Sequence, residues 1–595
     1  MASYALLPAS IAAAIHLVRS LGPWPARLRR LAAGIALPAC ALLFVTDAAY
    51  FAEYDAQFDP WVFGLVTDDK SAIAATIWKT YPVVGLTLLA LALAGAMVFG
   101  AERVTRRAAR GLPVPALLQR RWSRGLGAAL LVALTLFGLR GSLGRRPVQE
   151  KDLATTGDAF LNKLVENPFF ALFTAIQSQR KLETDAGVRV FLPDGDVKRA
   201  ARALFAAPEQ PPDLDAALQR SASGAGEPRA QHVFVVVMES YDSWSMQPKF
   251  SSLHLTDRLA ALGRAGIQAR AFVSAGSGTI KSLGAIMTGL PATGLYVNYL
   301  PGLRRGVPTS APAIFRRLGY RTRFFYGGYL SWQRIGDFAR DLGFDEVHGG
   351  DEMSAQLTGN EWGVDDDAMF RFVVTHTGDE PTFDVIMSTS YHPPFSVDLE
   401  AKGFDVGSLR ENPLCSGLSS AQLRVLGHLW YSDQSLGDFV RDAEQKLPRS
   451  LFALTGDHYS REQSVDPRPT LFESNAVPLV LYGPEVLARV HPPAGLAGAH
   501  IDILPTLVGL VAPAGFSYPA FGRDLLDASQ PQVGFGNDVV ITPAYVFPLA
   551  APERIEDLEG RPFRDPVPVD SLALRYRRSQ GLAWWRAMRG ASWPD

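Results

Sequence analysis

Apolar and polar positions divide this chain into two differently patterned parts. Up to residue 145 the apolar residues come in long runs, and beyond it in short runs set between amphipathic stretches. Residues 80–101 contain no charged residue and are long enough to cross about 30 Å of hydrocarbon. Residues 31–51 form a second run, interrupted only by Asp47, which near the end of a run reads as an interfacial residue. Residues 125–139 are shorter, but Trp122 and Arg124 can lie at the interface and extend the span. Residues 1–18 are the least regular, with Pro8 and His16, and lack the basic start of a cleaved signal peptide. The pattern therefore predicts about four transmembrane helices within residues 1–145.

Beyond residue 145 the pattern changes twice. Residues 146–230 show no strong strand pattern. Within them 158–179 reads as an amphipathic segment that packs on the outer domain or lies along the membrane surface, and 206–229, rich in Pro, Gly, Ser and Ala, reads as a linker. His232–Met238 (HVFVVVM) is a β-branched run too short for a helix and suited to a strand buried on both faces. Similar runs lie at 323–326, 383–387, 451–454 and 478–482. Helical stretches fall at 256–265, 310–318, 331–342, 421–446 and 501–510. Such alternation predicts an α/β sandwich with a mostly parallel central sheet over residues 231–530, followed by a C-terminal extension, 531–595, packed on it.

Charge gives the spans a direction. Arg27, Arg29 and Arg30 lie between the first two runs, and Arg103, Arg106, Arg107, Arg110, Arg120, Arg121 and Arg124 between the last two. The loop between carries Glu53, Asp55, Asp59, Asp68 and Asp69. The positive-inside rule places the two Arg-rich loops in the cytoplasm, so everything after residue 145 is outside. Arg140, Arg145 and Arg146 stand mildly against that orientation.

Composition narrows the field further. Over 595 residues the formal net charge is −1 and 48% of residues are apolar, which excludes a disordered chain and a globally basic nucleic-acid binder. Two cysteines, Cys40 and Cys415, cannot build a Cys-rich metal site or a disulfide framework.

Candidate chemistry clusters where strands end. Glu239 and Ser240 follow one predicted strand, Asp457 and His458 another, and ligands of open α/β sheets bind outside the carboxyl ends of the strands. The small-residue stretch 274–279 (SAGSGT) leads into a predicted helix, placing Thr279 where amide groups and the helix dipole favour anions. Two carboxylates, an imidazole and a hydroxyl could hold one divalent cation, with Thr279 set to attack phosphorus. Each residue alone has an ordinary structural reading: a solvated Glu, an N-capping Thr, an Asp-His turn.

The segments VVVMES, SGTIKSLGAIMTGLP, EWGVDD, STSYHPPF and LTGDH together resemble the lipoteichoic acid synthase and phosphoglycerol transferase family. This is a group of membrane-anchored members of the alkaline phosphatase and sulfatase superfamily. The segments GDAFLNKLVENPFFAL, VPLVLYGPE and HIDILPTLVGL extend the resemblance. It implies Glu239, Thr279, Asp457 and His458 as ligands of one Mn²⁺ or Mg²⁺ and Thr279 as nucleophile. It also implies Trp332, Arg334 and His392 as headgroup contacts. Arg suits phosphate oxygens, and His can bond or shuttle a proton to the leaving or attacking oxygen. Two departures stand out. Gly278 occupies the place of a family lysine, with Lys281 two residues after Thr279, and YGGYLSW lacks the His and Asp that the synthases place before the Trp. The remaining motifs look closer to the proteobacterial transferases that decorate periplasmic glucans.

The expectation is a multi-pass protein of the bacterial inner (cell) membrane with a periplasmic or extracellular catalytic domain. It moves phosphoglycerol from phosphatidylglycerol to a glycan through a threonine-linked intermediate and releases diacylglycerol. Rival readings are phosphoethanolamine transfer, a phosphodiesterase or other hydrolase, and a catalytically inactive lipid-binding or signalling membrane protein. Sulfatase chemistry is disfavoured, because formylglycine needs Cys or Ser where Thr279 stands.

Overall fold

A computed structural model describes residues 24–54, 57–58, 60–63, 70–111, 121–140, 167–184, 186–205, 211–224, 229–303, 307–353, 359–360, 362–460, 465–466 and 468–594. The chain divides into two compact units, residues 1–67 with 77–181, and residues 68–76 with 182–595.

The first unit is helical. Its long helices are α1 (Trp24–Tyr54), α2 (Val83–Gly111) and α3 (Arg121–Arg140). α1 and α2 pack together, while Leu31, Ile35 and Leu42 of α1 and Val84, Leu88 and Leu91 of α2 stay exposed. Among the described residues, two segments, Gly34–Glu53 and Val83–Arg103, are long and apolar enough to cross a membrane, and Gly125–Phe137 is a shorter apolar helix. The expected first span, 1–18, lies outside the described residues, as does 146–166 of the expected linker. The run 80–101 is not one element: the helix Lys70–Thr80 ends before Pro82 and α2 begins after it. Asp47 is buried within the protein, and its Oδ1 accepts from the Phe58 amide at 3.2 Å.

The second unit is built on a seven-stranded sheet. Its strands are β1 (His232–Met238), β2 (Ile267–Gln268), β3 (Arg321–Tyr326), β4 (Glu346–His348), β5 (Thr382–Met387), β6 (Ser450–Gly456) and β7 (Leu479–Tyr482). They lie in the order β2-β7-β6-β1-β5-β3-β4. Alternation explains the layers. Val233, Val235 and Val237 of β1 join the core on one face, and Phe234, Val236 and Met238 join the core on the other. Both faces are buried, as the unbroken apolar run requires.

The sheet is mixed, not mostly parallel. β6, β1, β5, β3 and β4 run parallel, whereas β7 is antiparallel to both β6 and β2. The described residues between β6 and β7 hold no helix, so nothing there carries the chain back to start a parallel strand. An apolar run reads the same in either direction, which hid the reversal.

Three helices of this unit matter below: α4 (Thr279–Thr288), α5 (Ser420–Lys446) and α6 (Val569–Arg589). A capping box between Ser419 and Gln422 starts α5. α6 packs on the chain before β1: Trp584 Nε1 donates to the Leu182 carbonyl at 2.8 Å, and Arg586 forks onto Asp215 at 2.6 and 2.9 Å. The expected helix 331–342 begins instead as a tight turn, with Gln333 (φ 43°) and Arg334 (φ 57°) in the left-handed region, before Ile335–Leu342 forms a regular helix.

Candidate active site

β1 and β6 are parallel neighbours in a register that pairs Met238 with Gly456, so Glu239 and Asp457 leave the sheet side by side. Gly456 permits the approach, since a Cβ there would collide with the Tyr241 carbonyl. After Glu239 the chain turns sharply at Ser240, whose φ of 52° is unusual for a residue with a side chain. Hydrogen bonds hold that turn. The Ser240 amide donates to Asp457 Oδ1 at 2.7 Å, and its hydroxyl donates to Glu239 Oε1 at 2.8 Å. The Glu239 amide donates to Ser388 Oγ just past β5 at 2.8 Å, so three adjacent strand ends share one network.

Glu239, Asp457 and His458 are all buried and offer ligand atoms within 4.8 Å of one another. Asp457 Oδ1 is satisfied twice, by the Ser240 and His458 amides at 2.7 Å each. Its Oδ2 is buried with no hydrogen-bond partner. His458 Nδ1 lies 2.8 Å from the Tyr459 carbonyl, so that nitrogen carries the proton and Nε2 presents a lone pair. Nε2 then faces Asp457 Oδ2 at 3.3 Å, Glu239 Oε1 at 3.8 Å and Thr279 Oγ1 at 3.5 Å. Acceptors confronting acceptors in a buried site are costly unless a cation lies among them. An imidazole, two carboxylates and a hydroxyl form a donor set for one divalent cation.

Thr279 is the first residue of α4, after extended Gly278. Its hydroxyl donates to Glu239 Oε2 at 3.3 Å. The α4 amides that start the helix supply partial positive charge where a phosphoryl group would meet that hydroxyl. The structure thus brings together Glu239, Thr279, Asp457 and His458.

Trp332, Arg334 and His392 lie on loops beyond the carboxyl ends of β3 and β5, at the same edge of the sheet. Trp332 packs near Tyr326, with ring centroids 5.7 Å apart. The Arg334 guanidinium meets the Asn298 carbonyl at 3.4 Å, Asp337 at 3.4 Å and Asp341 at 3.9 Å. The His392 ring lies 4.8 Å from that of Trp362. Asp366, to which the sequence gives no chemical role, anchors the loop before His392 by accepting from the Thr389 and Ser390 amides at 3.0 Å each.

Two buried groups near the site were not assigned from sequence. Asp242 Oδ2 accepts from the Ser460 amide at 2.9 Å, and burial pushes its carboxyl up to about 7. His500 lies between the Thr279 loop and the end of β6. In the sequence it appears only as the first residue of HIDILPTLVGL, with no role given to it.

Residues 231–513 match the sulfatase family. The chain carries a sulfatase-family domain. Lipoteichoic acid synthase 1 of Bacillus subtilis (strain 168) is 22% identical over 349 residues, covering 54% of this chain and 52% of that protein. The chain thus spans about half the length of this curated relative. A Vibrio parahaemolyticus protein of the alkaline phosphatase superfamily shares the fold, with a TM-score of 0.52, 19% identity, and 67% of this chain and 97% of that one covered. The lipoteichoic acid synthase LtaP from Listeria monocytogenes aligns with a TM-score of 0.49 and 17% identity, over 61% of this chain and 94% of its own. With the motifs, the domain match and the Bacillus relative support membership of the lipoteichoic acid synthase-like family.

Proposed function

We propose that this protein transfers phosphoglycerol from phosphatidylglycerol to a glycan outside the cytoplasm. The convergence of the Thr279 hydroxyl on three buried ligand atoms carries this reading. Glu239, Asp457, His458 and Thr279 would hold one Mn²⁺ or Mg²⁺. When bound, the cation supplies charge that favours ionisation of the hydroxyl and offsets charge on the phosphoryl oxygens.

Thr279 Oγ1 attacks the lipid phosphorus, forming a Thr–O–P bond as the P–O bond to diacylglycerol breaks. Diacylglycerol leaves with the proton that Thr279 gave up. An acceptor hydroxyl then forms a new O–P bond, the Thr279 bond breaks, and the acceptor proton returns to Thr279. Glu239 Oε2, already accepting from Thr279, orients that hydroxyl. The α4 amides face the phosphoryl group, while Trp332, Arg334 and His392 bind the headgroup from the β3 and β5 loops. Apolar helices such as α1 and α2 would confine the domain near its lipid donor and raise the effective donor concentration.

Incubation with headgroup-labelled phosphatidylglycerol and Mn²⁺ tests the reading. Diacylglycerol release with a glycerophosphate adduct on the Thr279 peptide supports it. An adduct formed from phosphatidylethanolamine but not from phosphatidylglycerol replaces phosphoglycerol with phosphoethanolamine, and no adduct from either lipid overturns the transferase.

A further inference from the structure

The buried histidine behind the site offers two hydrogen bonds in different directions. His500 begins the short turn His500–Asp502 and is fully buried. Its Nε2 lies 2.9 Å from the carbonyl of Gly456, the residue that precedes Asp457. Its Nδ1 accepts from the amide of Ala275, four residues before Thr279, at 3.2 Å. One neutral ring, protonated on Nε2, serves both partners at once. Burial pushes its pKa down to about 3, which favours the neutral ring.

The turn is itself held in place. Asp502 Oδ2 accepts from the Ala499 amide at 2.9 Å, and Oδ1 accepts from the Arg523 amide at 2.9 Å. On the other side of the loop the Ala275 carbonyl accepts from the Asn537 amide at 3.1 Å. Both backbone groups of Ala275 are therefore used, one toward His500 and one toward the C-terminal extension.

We propose that His500 is a positioning residue: it ties the Thr279 loop to the end of β6, and so fixes the Thr279 hydroxyl against Asp457 and His458. The consequence for transfer rests on the function proposed above; the mechanical link does not. A misplacement of about 1 Å at a reacting atom can cost about 10²-fold in rate, so a loop that loses this tie loses turnover before it loses its fold.

The test uses the full-length chain in detergent with His500→Leu, His500→Asn and His500→Gln. Leu removes both hydrogen bonds, Asn keeps an acceptor near the Nδ1 position, and Gln reaches toward Gly456 with a donor. Hydrogen–deuterium exchange is followed without added metal for peptides covering the Thr279 loop, β1 and β6. Transfer kinetics with phosphatidylglycerol and Mn²⁺ are followed alongside. In His500→Leu the loop should exchange roughly tenfold faster while β1 and β6 stay protected. kcat should fall about 10²-fold with little change in KM, and Asn or Gln should recover part of both effects. Unchanged loop exchange in every variant overturns the proposal. So does loosening of β1 and β6 as great as that of the loop, because His500 is then only a core residue. If the wild type forms no Thr279 adduct, the proposed function fails, and loop exchange alone decides the positioning role.

Discussion

Thr279 and Glu239, 40 residues apart in sequence, meet through a hydrogen bond of 3.3 Å from the threonine hydroxyl to Oε2. The contact is long for an O–H···O bond. It puts the hydroxyl at the mouth of a carboxylate-lined site without committing it to a tight partner. The proposed nucleophilic role would use that placement, whereas the N-cap position of this helix belongs to Gly278.

Thr279→Ala should remove both the covalent adduct and diacylglycerol release, lowering turnover by at least about 10³-fold. Thr279→Ser keeps a hydroxyl on the same bond and should retain measurable transfer. Intact-mass and peptide mass spectrometry after incubation with labelled lipid reads both. Full activity in the alanine variant would remove Thr279 from the mechanism.

Metal binding should appear as stability. A cation that binds only the folded state at 100 times its Kd adds about 2.7 kcal/mol, so Mn²⁺ should raise the melting temperature of chelator-treated protein. Asp457→Asn separates charge from fold. Oδ1 already serves two amides, while the orphaned Oδ2 faces the His458 lone pair, where an amide nitrogen could donate. The metal-free variant should be at least as stable as the metal-free wild type, yet gain nothing from Mn²⁺. An equal Mn²⁺ shift in both proteins would place the ion elsewhere.

Gly456→Ala should be among the most damaging single changes in the sulfatase-family domain. The added methyl collides with backbone, the Tyr241 carbonyl, which cannot rotate away as a side chain would. A cost of about 3 kcal/mol or more is expected from overpacking at a fully buried position. Thermal denaturation of the purified variant measures it. A variant as stable as the wild type would show that the β1 turn can shift freely.

These positions also mark what the sequence could reveal. The run HVFVVVM is legible as a strand because its six apolar, mostly β-branched residues fit nothing else of that length. Glu239 and Asp457 are legible as a pair because both follow such runs. The reversal of β7 is not legible, since hydrophobicity carries no direction. Nor is β4, a three-residue edge strand (Glu346–His348) with half-exposed side chains and no apolar run. His500 stayed hidden for another reason. Its two closest partners are backbone groups 44 and 225 residues away, and a backbone partner can belong to any residue type.

The C-terminal helix should be fastened by Arg586 and Asp215. The guanidinium forks onto the carboxylate at 2.6 and 2.9 Å, with both side chains largely buried. Removing either partner strands a charge, at a cost of about 2–4 kcal/mol. Asp215→Ala and Arg586→Ala should each lower the midpoint of urea unfolding, and the double variant should be less damaged than the sum. Additive losses would mean that the two residues act separately.

The pH dependence of stability should carry the mark of Asp433. This residue of α5 accepts from the Tyr241 hydroxyl at 2.8 Å and from the Leu259 and Arg258 amides at 2.9 Å each. Burial outweighs these hydrogen bonds and pushes the carboxyl up to about 6, with Asp257 adding to the rise. Between the ordinary carboxylate range near 4 and about 6, the folded protein therefore binds this proton and the unfolded chain does not. Stability from this group is complete below about pH 4 and is lost as pH rises through about 6. Asp433→Asn cannot titrate. Its amide also faces the Arg258 N–H with the wrong polarity, which adds a penalty that does not vary with pH. Urea unfolding of both proteins at intervals from pH 5 to 7.5 isolates the group, since other raised carboxyls such as Asp524 are common to both. The wild type should lose stability relative to the variant as pH rises across that window. Parallel curves would mean that Asp433 is ionised throughout and that its three donors outweigh its burial.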